Sequence, residues 1–349
     1  MDELTFLKEL VSIPSVSGQE DALAAYLVGR MTALGFQARR DEVGNVIGAL
    51  GDPNAERTIV LLGHMDTVPG HIPVRREGGC LYGRGAVDAK GPLATFVLAA
   101  ARAAPRLQGV RLLVIGAVEE ELHGRGARHL ARALPPPYCA IIGEPSYWEA
   151  ITLGYKGMLS LDYRLTRPCE HGASQGRVPA EKAVGFWNRL MGYAEALNGG
   201  RSDSFYTLDP ALREFNTFSD GLHEGVDLRV TIRLPPGFDV SDLQREVLAW
   251  SNGATLKFYP SDSPFLAAKN TPVVRAMLRA IRAQGGRPRF KLKTGTSDMN
   301  IVGPVWNCPM VAFGPGDSSL DHTPRERIEI EEFRRAIDVL SGALETLAG

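Results

Sequence analysis

The sequence predicts an α/β protein: one domain with a mostly parallel sheet, made in two pieces, and a smaller α+β module inserted between them. Three observations carry this. Short apolar runs at Thr58–Leu62, Val110–Val118 and Tyr138–Ile142 alternate with helical stretches. After about Lys156 the pattern changes to strict in-out alternation, and after about Ser263 the first texture returns. The boundaries are therefore 1–155 and 264–349 for the main domain and 156–263 for the insert.

The elements follow in order. Leu4, Leu7, Leu10 and Val11 share one face of an opening helix. Ser17-Gly18-Gln19-Glu20 has the form of a capping box, and the stripe Leu23, Tyr26, Leu27, Met31, Leu34 continues a second helix until Gly35. Pro92–Ala104 and Gly124–Leu134 are expected as helices between the strands, the pattern of βαβ units. The insert reads β-α-β-α-β: strands at Ser160–Thr166, Val226–Leu234 and Ala254–Tyr259, helices at Ala180–Leu197 and Ser241–Trp250. Thr271–Arg282 then forms a helix and Met310–Phe313 a buried strand. A closing helix, Ile328–Leu347, turns Ile330, Phe333, Ile337, Leu340 and Leu344 inward.

Composition removes several function classes. A chain of 349 residues suits two domains, and 44% hydrophobic with 23% charged residues excludes disorder. A net charge of −1 gives no ground for a nucleic-acid partner. The apolar runs fall well short of the roughly 18 residues of a membrane span. Met1-Asp2-Glu3-Leu4 lacks the basic and apolar regions of a secretory signal. Cys80, Cys139, Cys169 and Cys308 lie far apart with no C-x-x-C, so they read as reduced thiols of a cytoplasmic protein.

The chemistry sits where the predicted parallel strands end, the place where open α/β sheets bind ligands. His64 and Asp66 follow the first strand, Glu119–Glu121 the second, Glu144 the third, and His322 comes after the late one. Asp88 lies in Gly83–Gly91, ahead of a helix. Each has an ordinary reading alone: a buried histidine bonded to a carboxylate, a helix cap, a solvated acidic loop, a turn. Chance explains poorly why every such group falls at a strand terminus. Asp88, Glu121 and Glu144 converging without cations would repel one another. Two divalent cations would balance these three carboxylates and one hydroxide. Mixed imidazole and carboxylate donors suit zinc, with cobalt or manganese as substitutes. Glu120 is left as the proton shuttle. Gly124-Arg125-Gly126 lacks the third glycine of a dinucleotide fingerprint, which argues against an oxidoreductase. A non-enzymatic relative would be expected to lack a ligand or the base, and none is missing.

At these residues the sequence resembles the M20 family of metallo-amidohydrolases, which includes succinyl-diaminopimelate desuccinylases, acetylornithine deacetylases and carboxypeptidase G2. The motifs are Gly63-His64-Met65-Asp66-Thr67-Val68-Pro69, Gly83–Gly91, Glu119-Glu120-Glu121, Gly143-Glu144-Pro145 and Asp321-His322-Thr323-Pro324. The resemblance implies a zinc-peptidase-like catalytic domain with a ferredoxin-like insert that acts as lid and dimerisation domain in a homodimer. It implies that Asp88 bridges two metal ions, that His64 and Glu144 hold one, and that Glu121 and His322 hold the other. Asp66 would orient His64, and Glu120 would carry the proton from water to the leaving amine. His171, in Glu170-His171-Gly172-Ala173-Ser174, matches a lid histidine that stabilises the oxyanion. The peptide bond Asp88–Ala89 is expected to be cis.

Within the family, Lys293-Thr294-Gly295-Thr296-Ser297-Asp298-Met299-Asn300 and Gly143-Glu144-Pro145-Ser146 resemble the LysK branch. Its members release lysine, and in some cases ornithine, from the C-terminal glutamate of the amino-group carrier protein LysW. Asn300 stands where the desuccinylases have a carboxylate-gripping arginine, which argues against succinyl-diaminopimelate. Arg233, Lys156, Thr296 and Asn300 are the candidate substrate contacts. No acid occurs between Asp262 and Asp298, whereas Lys269, Arg275, Arg279, Arg282, Arg287, Arg289, Lys291 and Lys293 do. This run is expected to dock an acidic carrier. A deacylase of small N-acyl amino acids or a dipeptidase is the alternative within the same chemistry.

Overall fold

Apolar runs that are buried on both faces place the centre of the main sheet. The structure, a computed structural model, describes residues 2–170 and 178–349. Strands Val110–Ala117, Arg57–His64, Cys139–Ile142 and Met310–Ala312 lie side by side in that order and run parallel. Nearly all of their residues are buried, as a sheet covered on both sides requires. Beyond Val110–Ala117 the strands Val46–Gly51 and Gln37–Arg40 extend the sheet antiparallel. On the other flank Ala150–Tyr155 runs antiparallel to Met310–Ala312. The fold class is thus the expected one, a mixed α/β chain with a mostly parallel central sheet.

Helix Lys90–Ala103 is built from small and apolar residues, and all but two of its 14 residues are buried. It packs against the parallel strands on one side and against the closing helix Ile330–Ala348 on the other. A separate antiparallel ribbon, Arg327–Glu329 with Cys80–Tyr82 and Arg75–Glu77, brings the chain after His322 alongside the loop that carries Asp88. Among the described residues no helix is long and apolar enough to cross a membrane. The four cysteines are unpaired.

The chain divides into two compact units. The second comprises Tyr155–Phe265 with Lys293–Thr296, and the first comprises the rest. In the second unit the sheet order is Asp209–Ser219, His223–Leu234, Gly157–Pro168, Thr255–Phe258, with every pairing antiparallel. Helices Pro179–Asn198 and Val240–Ala249 complete a β-α-β-β-α-β order, the ferredoxin-like arrangement. The five-element reading lacked Asp209–Ser219, an edge strand whose middle residues are all exposed and so carry no alternation.

One local expectation is corrected. The second helix begins at Asp21, and no side chain caps it. Ser17 Oγ instead donates to Asp66 Oδ2 at 2.7 Å, and Glu20 Oε1 accepts from the Glu119 N–H at 3.1 Å. Long-range partners outcompete the local box.

Asn45 shows how a buried polar side chain ties loops together. Its Oδ1 accepts from the Val118 N–H at 3.1 Å and its Nδ2 donates to the Gly126 carbonyl at 3.3 Å. A Cβ on Gly126 would lie 2.3 Å from Asn45 Oδ1 and 2.6 Å from Val118 N. Gly126→Ala should therefore cost about 1–3 kcal/mol, the usual penalty of overpacking. Thermal unfolding should show a Tm lowered by several degrees; an unchanged Tm would mean that the bridge yields without cost.

Candidate active site

Because the four central strands run parallel, their carboxyl ends share one rim. His64 is the last residue of its strand, Glu119–Glu121 begin two residues after theirs, and Glu144 lies two residues beyond Ile142. Asp88 precedes helix Lys90–Ala103, and His322 follows the short turn Ser318–Leu320. The peptide bond Asp88–Ala89 is cis, as the resemblance implied.

The Asp88 carboxylate lies between two imidazoles. Its Oδ1 is 3.2 Å from His64 Nε2, and its Oδ2 is 3.0 Å from His322 Nε2. His322 Nε2 is also 2.8 Å from Glu121 Oε1. Ligand atoms of His64, Asp88 and Glu121 all lie within 4.8 Å of one another. The structure thus brings four of the five expected metal ligands into one cluster. Glu144, buried at the same rim, stands outside the tightest trio, although its charge acts on Glu120.

Asp66 is wholly buried and does more than face His64. His64 Nδ1 is 3.0 Å from the Asp66 carbonyl and 3.3 Å from Asp66 Oδ1. Asp66 Oδ1 also accepts from the Glu120 N–H, and Oδ2 from the Glu121 N–H, both at 3.0 Å. One carboxylate therefore contacts a histidine and holds the backbone of the glutamate loop.

The protonation of the cluster follows from this crowding. Burial opposes the charged form of His64, but hydrogen bonds to Asp66 and Asp88 overcome it and hold its pKa well above the usual histidine value. His322, bonded to Asp88 and Glu121, is raised to about 10. Asp88 is held low in spite of burial by these same two histidines. Burial pushes Glu120 well up, aided by the negative charges of Glu144, Asp298 and Glu121. Glu121 is raised by burial and by Asp88, with His322 pulling the other way.

These residues fit a pair of divalent cations. Two imidazole nitrogens face opposite oxygens of one carboxylate, and further carboxylates lie at the same rim. Second partners hold this constellation. His64 has Asp66, while the Asp88 backbone has Glu326, which the sequence reading missed. Glu326 is fully buried; Oε1 accepts from the N–H groups of Val87 and Asp88 at 3.0 and 3.2 Å, and Oε2 from Arg84 Nη1 at 2.7 Å. A carboxylate four residues after His322, in a stretch paired to the Asp88 loop, was the available signal. Lys90 was also passed over: burial lowers it to about 8, and its Nζ donates to the Ile13 carbonyl at 2.6 Å.

The expected substrate contacts fare unevenly. Arg233 Nη1 donates to Thr296 Oγ1 at 3.2 Å, so these two are brought together within the second unit. Lys156 is fully buried, and its ammonium pairs with Asp209 and donates to the carbonyls of Ser204 (2.8 Å) and Thr207 (2.5 Å). These contacts tie parts of the second unit together. Asn300 is buried, and its Oδ1 accepts from the Ser297 N–H at 2.9 Å in the capping box of helix Asp298–Trp306. His171 lies outside the described residues. In the basic run, Arg275, Arg279 and Arg282 are exposed on helix Pro272–Ala283, while Arg289 pairs with Glu149 at 2.8 Å.

With this geometry in place, comparison with known proteins defines the class. The sequence pattern of peptidase family M20/M25/M40 matches residues 60–346. The chain belongs to this family and is a metal-dependent hydrolase of amide or peptide bonds. It is 43% identical to a LysW-lysine hydrolase of Deinococcus radiodurans, over 98% of this chain and 96% of that protein. It is 39% identical to a putative LysW-lysine/LysW-ornithine hydrolase of Pyrococcus furiosus, over 99% and 98%. Its fold is that of an M20 family metallo-carboxypeptidase from Sulfolobus solfataricus, with a TM-score of 0.81 at 21% identity and full coverage of both chains.

The protonated histidines give a pH signature. A raised imidazole pKa stabilises the metal-free fold fully below the ordinary histidine value, about 6.5, and for His322 that contribution is lost as pH rises through about 10. A cation needs neutral imidazole, so loading metal-depleted protein at pH 8 should release about one proton from each of His64 and His322. Calorimetry in buffers of different ionisation enthalpy reads this. Heats independent of buffer would remove both histidines from the ligand set.

Proposed function

We propose that this chain is a dinuclear-metal amide hydrolase that frees lysine, ornithine or both from the C-terminal glutamate of LysW in the cytoplasm. The observation that carries the chemistry is the Asp88 carboxylate shared between His64 and His322. The substrate reading is supported by the names of the relatives that match nearly the whole chain.

In this reading Asp88 would serve both ions, His64 and Glu144 would hold one, and Glu121 and His322 would hold the other. Zinc is the proposed metal, with cobalt able to replace it. When bound, the two ions supply charge that acidifies water and polarises the scissile carbonyl. Glu120 accepts a proton from the attacking water and passes it to the leaving amine. Its place beside Glu121 and near Glu144 suits a carboxyl that takes up that proton and passes it on. Asp66 fixes the His64 ring through the contact at Nδ1. His171 supplies the oxyanion donor, and Arg233 with Thr296 contacts the substrate. The insert, 156–263, serves as lid and dimerisation domain of a homodimer. The exposed arginines of helix Pro272–Ala283 offer an acidic carrier its landing surface.

Glu120→Ala should lower kcat by roughly 10²–10⁴, the range lost with a general base, while both ions stay bound. Loss of the metal together with turnover would instead make Glu120 a ligand. Substrate class is tested by assaying LysW-linked lysine, LysW-linked ornithine and acetylornithine side by side with added zinc or cobalt. Carrier-linked substrates should turn over faster, and reversing Arg279 and Arg282 to Glu should slow only those. Preference for acetylornithine would favour a small-molecule deacylase.

A further inference from the structure

The loop that carries Glu120 and Glu121 has no regular structure, yet its backbone is held at three successive amides. Asp66 takes the N–H groups of Glu120 and Glu121. The N–H of Glu119, whose φ is +58°, goes to Glu20 Oε1 at 3.1 Å, and the same oxygen accepts from the Gly18 N–H at 3.0 Å. Glu20 is 99 residues from Glu119 in sequence and only 5% exposed. It lies outside the stretch 60–346 that the family pattern covers.

We propose that Glu20 is a positioning residue for the Glu119–Glu121 loop, acting with Ser17 through the turn that precedes the second helix. Ser17 Oγ donates to Asp66 Oδ2 at 2.7 Å, so the one turn fixes both carboxylates that grip the loop. The turn is itself anchored to the His64 segment. Ser15 Oγ donates to the Met65 carbonyl at 2.7 Å, and the Thr67 N–H donates to the Ser15 carbonyl at 2.9 Å. A left-handed residue at Glu119 followed by two working side chains needs such a hold, because rotation at one amide re-aims both carboxylates. Positioning of this kind acts through geometry, and misplacement by about 1 Å can cost up to 10²-fold in rate. The inference rests on the proposed roles of Glu120 and Glu121.

The test compares Glu20→Ala with Glu20→Gln in the full chain, reading kcat, KM and cobalt affinity of metal-depleted protein. Glu20→Ala should lower kcat about tenfold or more with KM little changed, and weaken one of the two cobalt ions by about tenfold, the scale of an outer-shell loss. Glu20→Gln keeps an oxygen for the same two N–H groups and should restore both. A lowered Tm with kcat and cobalt binding intact in both variants would overturn the proposal, and so would a Gln variant as impaired as the Ala one. If Glu20→Ala does not fold, Ser17→Ala and Ser17→Thr decide by the same two readouts, with the threonine expected to rescue and no effect of the alanine overturning it. The ratios are taken on whichever substrate turns over, so a wrong substrate assignment would show separately. Wild-type protein that binds no second cobalt ion would refute the two-ion reading instead.

Discussion

Carboxylates gathered in a buried space repel one another and resist losing water, so their positions must be fixed by partners that give something back. The pairing of Asp88 with His64 on one oxygen and His322 on the other is the contact on which the remainder of the site depends. It spans the interval between the end of one strand and a turn more than 250 residues later in the chain. A cation could be gripped there only if both ends arrive together, and the parallel sheet is what delivers them. Strands buried on both faces leave their carboxyl ends as the place where polar side chains can gather.

Around that contact the fold spends its buried polar groups on backbone amides. Glu326 takes the N–H groups of Val87 and Asp88, Asp66 takes those of Glu120 and Glu121, and Asn45 takes that of Val118. These loops lack regular hydrogen-bond ladders, and an unpaired buried N–H would cost on the order of 1–3 kcal/mol. Each carboxylate or amide therefore satisfies the backbone and aims the neighbouring side chain at once. Membership of a metal-dependent hydrolase family is consistent with such construction, in which loops at the sheet rim are held by buried acceptors.

The second unit follows a different logic. Its antiparallel sheet buries one face against two helices, so in-out alternation is its signature, clear in Gly157–Pro168 and His223–Leu234. Lys156 stands where this unit begins, and its buried ammonium gathers Asp209 and two carbonyls into one knot. A lysine near a predicted site can equally be a structural fastening, and only its surroundings distinguish the two.

Periodicity and motif spacing determined much of this protein in advance: the alternation of buried strands and helices, the change of texture near Lys156, and the candidate set His64, Asp88, Glu120, Glu121, Glu144 and His322. These were legible because local burial imposes local patterns and because ligand chemistry restricts residue type. The exposed strands Gln37–Arg40 and Asp209–Ser219 were not legible, since an edge strand held by backbone pairing needs no apolar side chains. Nor were the tasks of Ser17, Glu20 and Glu326. A hydroxyl or carboxylate has the same local options in any sequence, and Ser17 to Glu20 reads as a helix cap until Asp66 and Glu119 arrive as better partners. Which of several possible hydrogen bonds a polar side chain makes is decided by what the folded chain brings within about 3 Å of it, and that is information only the tertiary structure holds.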